Sequence, residues 1–428
     1  MAVAENIVTD DAQASPSADP RREWRRLAIF LPGHDPTDMT YHHGRFAHQA
    51  KLFGELWSVD VDVTDRLDGG DKPYAGWTVK TRAPNWATRT DYRILRWEDI
   101  VAALDARPDP IRLWKGVGGL TSFLFGGAMR AYFRASVRYG MFFFYPYIIL
   151  LVFILGGLLA GGLAGFAASY AVPSLAAWTI GLVVGIAVFF GLFHRPGRDW
   201  RLHQALDDWD LAREYLNDRT PELDERLDSF AQVIIDAVNS GKYDEIVLVG
   251  HSLGATLVLG VLERALDRDP GLTSGPTRLC LLTCGATIPK LALHRHGGKV
   301  RRQAARVART PGLYWVEYQA RHDVINFYKF HPVTLRRTQF EDNELCPPQL
   351  RNANLKDMLS DEKLHRLRWQ LMRLHYQFLL ANELHAPYDY FMFILGPLPL
   401  ADITSRPDGP LGRFAPDGSL IAETTDAS

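Results

Sequence analysis

The arrangement in this chain best suited to chemistry is a serine framed by two glycines, Gly250-His251-Ser252-Leu253-Gly254. The apolar run Ile246-Val247-Leu248-Val249 leads into it, and Ala255 to Leu266 continues with the composition of a helix. On a sharp strand-to-helix turn a serine Oγ stands clear of the backbone. Glycines are needed on either side because a Cβ there would strike the neighbouring strand and helix. The turn also sets the Leu253 N–H at a helix N-terminus, where it can donate to an oxyanion as a carbonyl carbon becomes tetrahedral. The chemistry implied is acyl transfer through a serine nucleophile. His251 reads as a supporting residue and not as the base, because Oγ of the adjacent serine faces the opposite way on such a turn.

Strand, Gly-His-Ser-x-Gly turn and helix together resemble the α/β-hydrolase superfamily, in particular its lipase and esterase branch. The resemblance covers approximately Arg26 to Thr64 and Glu245 to Asp389, and the serine turn is its one highly specific motif. It implies a mostly parallel sheet with helices on both faces and a triad in the chain order Ser, acid, His. Asp323 fits the acid, since it follows the expected strand Leu313 to Gln319 and such sites gather at the carboxyl ends of strands. Asp342 is a weaker choice, having no strand immediately before it. The base lies among His365, His375 and His385; His375 is favoured because an aromatic residue three positions later resembles the terminal histidine segment of many lipases, and His385, with the same spacing, is the runner-up. A second oxyanion donor is expected from the loop after an early strand, where Gly33 lets the backbone approach and His34 or Asp35 supplies the N–H.

The elements that must position these groups alternate short apolar runs with amphipathic segments, the pattern of an α/β layered domain. Leu27 to Leu31, Trp57 to Val63, Glu245 to Val249, Arg278 to Thr283 and Leu313 to Gln319 read as strands, and Pro221 to Asn239 reads as a helix; Tyr92 to Gly127 is left unassigned. From Tyr139 to Phe193 there is no charged residue. That is more than twice the roughly 20 residues one membrane-spanning helix needs. The break at Ser169 to Ser174 predicts two spans, about Phe142 to Ala168 and Leu175 to Phe193. Gly157, Gly161 and Gly165, like Gly181 and Gly185, recur every fourth residue and permit close helix packing, within a hairpin or in a homo-oligomer. Arg130, Arg134 and Arg138 form one expected juxtamembrane stripe, and with His194, Arg195, Arg198 and Arg201 they put both flanks of the hairpin in the cytoplasm of a plasma or inner membrane. The hairpin precedes the serine turn, whereas lids of the superfamily tend to follow it, so the resemblance assigns it no lid role.

The expected organisation is a tail over 1–22, a first hydrolase part over 23–128, the juxtamembrane helix and hairpin over 129–200, a second hydrolase part over 201–404 and a flexible tail over 405–428. A net charge of -1 without a basic domain argues against nucleic-acid binding. Cys280, Cys284 and Cys346 lack zinc or redox spacing and read as free thiols of a reducing compartment. His42-His43 and His294-x-His296 read as surface histidines, not metal ligands. The expected activity is therefore cofactor-free hydrolysis of an ester or thioester at a lipid bilayer, on lipid-like or acylated substrates. The rival readings are a non-catalytic membrane scaffold that keeps the fold to bind a lipid or partner, and acyl transfer to an alcohol instead of water.

Overall fold

The computed structural model describes residues 23–67, 72–340 and 346–422. Strand β1 (Trp24–Leu31) is followed by α1 (Met39–Trp57), β2 (Asp60–Val63), β3 (Tyr74–Ala83) and β4 (Trp86–Leu95). Next come α2 (Glu98–Asp105), α3 (Asp109–Phe125), α4 (Ala128–Ala135), α5 (Val137–Phe143), the long pair α6 (Tyr145–Ala168) and α7 (Ser174–Asp199), then α8 (Leu202–Leu216) and α9 (Pro221–Asn239). After these run β5 (Glu245–His251), α10 (Leu253–Arg268), β6 (Arg278–Cys284), β7 (Leu313–Gln319), a small ladder of β8 (Phe330–His331) with β9 (Arg336–Arg337), and β10 (Gln349–Asn352). One eight-stranded sheet has the order β10-β7-β6-β5-β1-β4-β3-β2. Neighbours from β10 to β4 are parallel, and only the β4-β3 and β3-β2 pairs are antiparallel.

Central parallel strands are buried on both faces and read as continuous apolar runs. Along β1, Leu27, Ile29 and Leu31 join a core with α9 and α10, while Ala28 and Phe30 join a second core with α1 and the helix Tyr390–Leu395. Helices therefore cover both faces. The expected strand over Trp57 to Val63 is corrected at its start: Trp57 closes α1, continuing the buried helical stripe of Phe46, Ala50 and Phe53, and strand pairing begins at Asp60. The segment left unassigned holds the end of β4, α2 and α3. The C-terminal stretch is not a loose tail over its described part. Trp86 Nε1 donates to the Gly418 carbonyl at 2.9 Å, and Phe414 packs edge-on against Trp57. The expected N-terminal tail over 1–22 lies outside the described residues, as does Asp342.

The juxtamembrane arginines do not form one helical stripe. Ser136, extended at φ -151°, ends α4 and caps α5 by accepting from Tyr139 N at 3.3 Å, so Arg138 stands on a different helix from Arg130 and Arg134. Helices α6 and α7 are each long and apolar enough to cross a membrane. Their glycines face each other in reversed order: a Cβ on Gly161 would lie 2.6 Å from the Gly181 carbonyl, and one on Gly157 2.8 Å from that of Gly185. This small-residue seam is thus occupied within the chain, while Leu151, Leu155, Leu158, Leu159, Leu182 and Val183 point outward, exposed. Helix α7 runs past the expected end at Phe193, through Pro196 to Asp199.

The C-terminal root of the pair is tied to α3 and α8. Arg112 of α3, fully buried, donates to Asp207 at 2.9 Å, Asp109 at 3.1 Å and His203 Nδ1 at 3.1 Å, and His203 Nε2 donates to the Phe193 carbonyl at 2.9 Å. Burial and then the adjacent Arg112 cation lower the His203 pKa, consistent with a neutral ring that accepts at one nitrogen and donates at the other. Across the hairpin insertion, Arg26 of β1 donates to Glu245 of β5 at 2.7 Å and to the carbonyls of Gly396 and Leu398 at 2.7 and 2.6 Å, while Glu245 accepts from Leu400 N at 2.8 Å. Removing one partner of such a buried pair leaves an uncompensated charge, at a cost of about 3–5 kcal/mol. Arg26→Met should therefore lower the thermal unfolding midpoint sharply, and Arg26→Met with Glu245→Met should recover part of the loss. An unchanged midpoint in the single variant would show that the pair does not couple the two halves.

Candidate active site

Strand β5 is completely buried and delivers the chain to a turn at which Ser252 adopts φ 56°, ψ -125°, in the left-handed half of backbone space that a serine rarely occupies. The packing around it leaves no alternative. A Cβ on Gly250 would fall 2.6 Å from Ala255 Cα, and one on Gly254 would fall 2.6 Å from the Pro32 carbonyl and closer still to that of Leu31. The turn is held by Ser252 N donating to the Cys284 carbonyl and Thr287 N donating to the Ser252 carbonyl, at 3.4 and 3.3 Å. Leu253 opens α10, so its N–H has no acceptor inside the helix.

Two further groups reach this turn from strand ends. Asp323 follows β7 and is buried; its Oδ1 accepts from Ile325 N at 2.9 Å, and Oδ2 lies 2.7 Å from His375 Nδ1. The carboxylate fixes the proton on Nδ1, leaving Nε2 as the proton-accepting atom of the ring. Nε2 is buried and has no hydrogen-bond partner among the described residues. Gly285, at φ 55°, underlies the ring: a Cβ there would lie 3.1 Å from His375 Cε1. His251 Nε2 donates to the His375 carbonyl at 3.0 Å, and burial, then the His375 ring 4.5 Å away, push the His251 pKa well below its ordinary value. Held neutral, His251 steadies the backbone of His375.

The other histidines stand elsewhere. His385 is exposed, packs edge-on against Trp57, and bonds the Leu56 carbonyl through Nε2 at 3.0 Å, which commits that nitrogen to the end of α1. His365 is exposed on the helix Asp361–Leu367. His42 and His294 are buried, a correction to their reading as surface residues: Arg45 donates to His42 Nδ1 at 3.1 Å, and His294 Nε2 donates to the Ser122 carbonyl at 3.1 Å. Cys280 and Cys284 are buried free thiols four residues apart on β6, and Cys346 is an exposed one.

Ser252 and His375 share a cavity of about 490 Å³, within the range of small-molecule sites. The loop after β1 forms its near wall. A Cβ on Gly33 would lie 2.9 Å from Ser252 Cβ and 3.4 Å from Leu253 N, so only glycine lets this loop come so close. His34 lines the cavity next to Gly33, whereas Asp35 does not; its carboxylate accepts from Thr37 N at 3.0 Å and from Tyr376 OH at 3.0 Å. The far wall was not foreseen: Tyr139 and Phe142 of α5, Tyr145 and Pro146 at the start of α6, Asp199 at the end of α7 and Trp200 just after it. Gln204 and Asp208 of α8, with Lys290 after β6, were also missed. For Lys290 the available signal was a lone cation in the apolar run Ala286 to Leu293, directly after a strand end.

Comparison of the chain with protein-family models, with curated proteins and with solved structures returns no match.

The close contacts around these glycines predict position-specific effects. Gly254→Ala drives a Cβ into the backbone at the end of β1 and should destabilise by about 1–3 kcal/mol or more. Gly44→Ala, in α1 with nothing within 4 Å of the new carbon, should be neutral or slightly stabilising. Equal melting temperatures for the two variants would contradict the packing described at the turn.

Proposed function

We propose that this chain is a membrane-anchored serine hydrolase of the α/β-hydrolase type, cleaving carboxylic ester or thioester bonds of lipid-like or acylated molecules. The observation that carries the reading is the buried His375–Asp323 pair at 2.7 Å in the cavity of a serine held at φ 56° between strand and helix. Ser252 Oγ bonds the acyl carbon as its proton passes to His375 Nε2. The oxyanion is met by the N–H groups of Leu253 and His34. Collapse breaks the bond to the leaving alcohol or thiol, which takes the proton from His375; water then adds to the acyl group, gives a proton to His375, and the acid departs as Ser252 recovers its hydrogen. Asp323 keeps the imidazole in the required tautomer throughout. This chemistry draws on no cofactor.

The bilayer enters the reading through the exposed leucines of α6 and α7 and through the cavity wall those helices' roots supply. A substrate space bordered by helices of membrane-spanning length suits acyl chains that already reside in lipid. Arginines before and after the pair favour, by the positive-inside rule, a cytoplasmic side for both its roots and for the catalytic domain with them.

Two measurements test this. Purified protein should hydrolyse a medium-chain ester; Ser252→Ala should remove turnover, and His375→Ala should lower kcat by several orders of magnitude, because triad members act as a unit. His385→Ala should stay within a few-fold of the parent. Wild-type turnover in Ser252→Ala, or none in the parent, would favour the binding scaffold. For topology, Ser174→Cys should react with an impermeant thiol reagent outside intact cells, while Ser136→Cys and Gln204→Cys should not; labelling of those two from opposite sides of the membrane would refute the hairpin.

A further inference from the structure

Lys290 is 3% exposed, yet it lines the catalytic cavity. Its Nζ bonds Asp208 and sits 4.1 Å above the Trp209 ring. Among the described residues Asp208 is its only hydrogen-bond partner, so two of the three ammonium N–H groups have none. Asp208 is itself only partly buried, also lines the cavity, and uses one carboxylate oxygen on Lys290. Beside the pair, Gln204 donates to the His34 carbonyl at 2.8 Å, and both ring nitrogens of His34 are buried without a partner among the described residues. Burial lowers the His34 pKa, which keeps that ring neutral near neutral pH.

Ions brought into an apolar wall are unfavourable unless paired and hydrogen-bonded. Here the pairing is complete in charge but not in hydrogen bonds. A cavity-facing patch of this kind offers a strong donor next to a strong acceptor, with no net charge. An anionic ligand group reaching Lys290 would be repelled by Asp208, and a cationic one reaching Asp208 would be repelled by Lys290. A neutral hydroxyl satisfies both, accepting from one and donating to the other.

Resting on the hydrolase reading, we infer that Lys290 and Asp208 form a polar subsite for the alcohol portion of the substrate, selecting esters whose leaving alcohol carries free, uncharged hydroxyls, as in a monoacylated polyol. The acyl chain then has the aromatic and apolar wall of Tyr139, Phe142, Tyr145 and Trp200. The two residues are specificity determinants, separate from the groups that move the proton.

The test compares kcat/KM for the glyceryl monoester and the propyl ester of one fatty acid, each presented in the same detergent, with the full-length protein. Hydrogen bonds to charged groups support a preference of roughly ten- to a hundredfold for the glyceryl ester. Lys290→Met combined with Asp208→Asn should bring that ratio to near one, whatever happens to the absolute rates. Equal kcat/KM in the parent enzyme overturns the inference while leaving the hydrolase reading intact, and so does a double variant that turns over and keeps the parent ratio. A glycerophosphate monoester preferred over the glyceryl ester overturns it too, because that outcome requires an anion site. Absence of Ser252-dependent turnover of either ester removes the hydrolase reading and this inference together.

Discussion

A serine at φ 56° is the constraint on which the rest of the site depends. Such a conformation costs of order 1–3 kcal/mol and persists only where surrounding structure over-determines it. Here the determining atoms come from far apart in the chain. The carbonyls of Leu31 and Pro32 press on Gly254, Ala255 presses on Gly250, and Gly33 abuts Ser252 itself. The turn therefore exists only if β1 and β5 are neighbours, with Leu31 in register with Gly250. Those strands lie on opposite sides of the hairpin in sequence, so the long helices must leave the sheet domain and return to the same face of it. The buried Arg26–Glu245 pair and the Arg112–His203–Phe193 chain bind the two sides of the insertion together.

The same geometry decides what the cavity is made of. Because the hairpin roots return beside the serine turn, aromatic residues of α5, α6 and the α7–α8 junction become its wall, and α8 brings Asp208 opposite Lys290. The proposed chemistry and the proposed selectivity thus have one structural origin. An apolar wall supplied by the roots of two helices of membrane-spanning length meets a polar one shared by α8 and the segment after β6. Within that second wall Lys290 and Asp208 compensate each other's charge.

Much of the site could be read locally. The serine turn is set out in five consecutive residues and a strand end points to Asp323, whereas the aromatic neighbour that favoured His375 is shared by His385, and only the 2.7 Å pairing of His375 with Asp323 distinguishes the two. Other features were hidden for physical reasons. On β4 the buried face includes Thr88 and Thr90, whose hydroxyls donate to the carbonyls of Leu395 and Ile394 at 2.6 and 2.9 Å, so the hydrophobic alternation that marks a strand is masked by satisfied polar groups. The described part of the C-terminal stretch looks loose in composition, yet it is ordered by contacts with Trp57 and Trp86, more than 300 positions away. The Lys290–Asp208 pair spans 82 positions and leaves no local pattern. Only the fold makes it a pair.

The claim at the centre of this account is that Ser252 is an activated nucleophile, not merely a serine in a strained turn. Fluorophosphonate labelling of the full-length protein, followed by mass mapping of the modified peptide, tests it most directly, since only a serine beside a competent base reacts readily. The expected result is a single phosphonylated site at Ser252, lost in the His375→Ala variant and kept in His385→Ala. Folded protein that remains unlabelled, or carries the label on another residue, would contradict it.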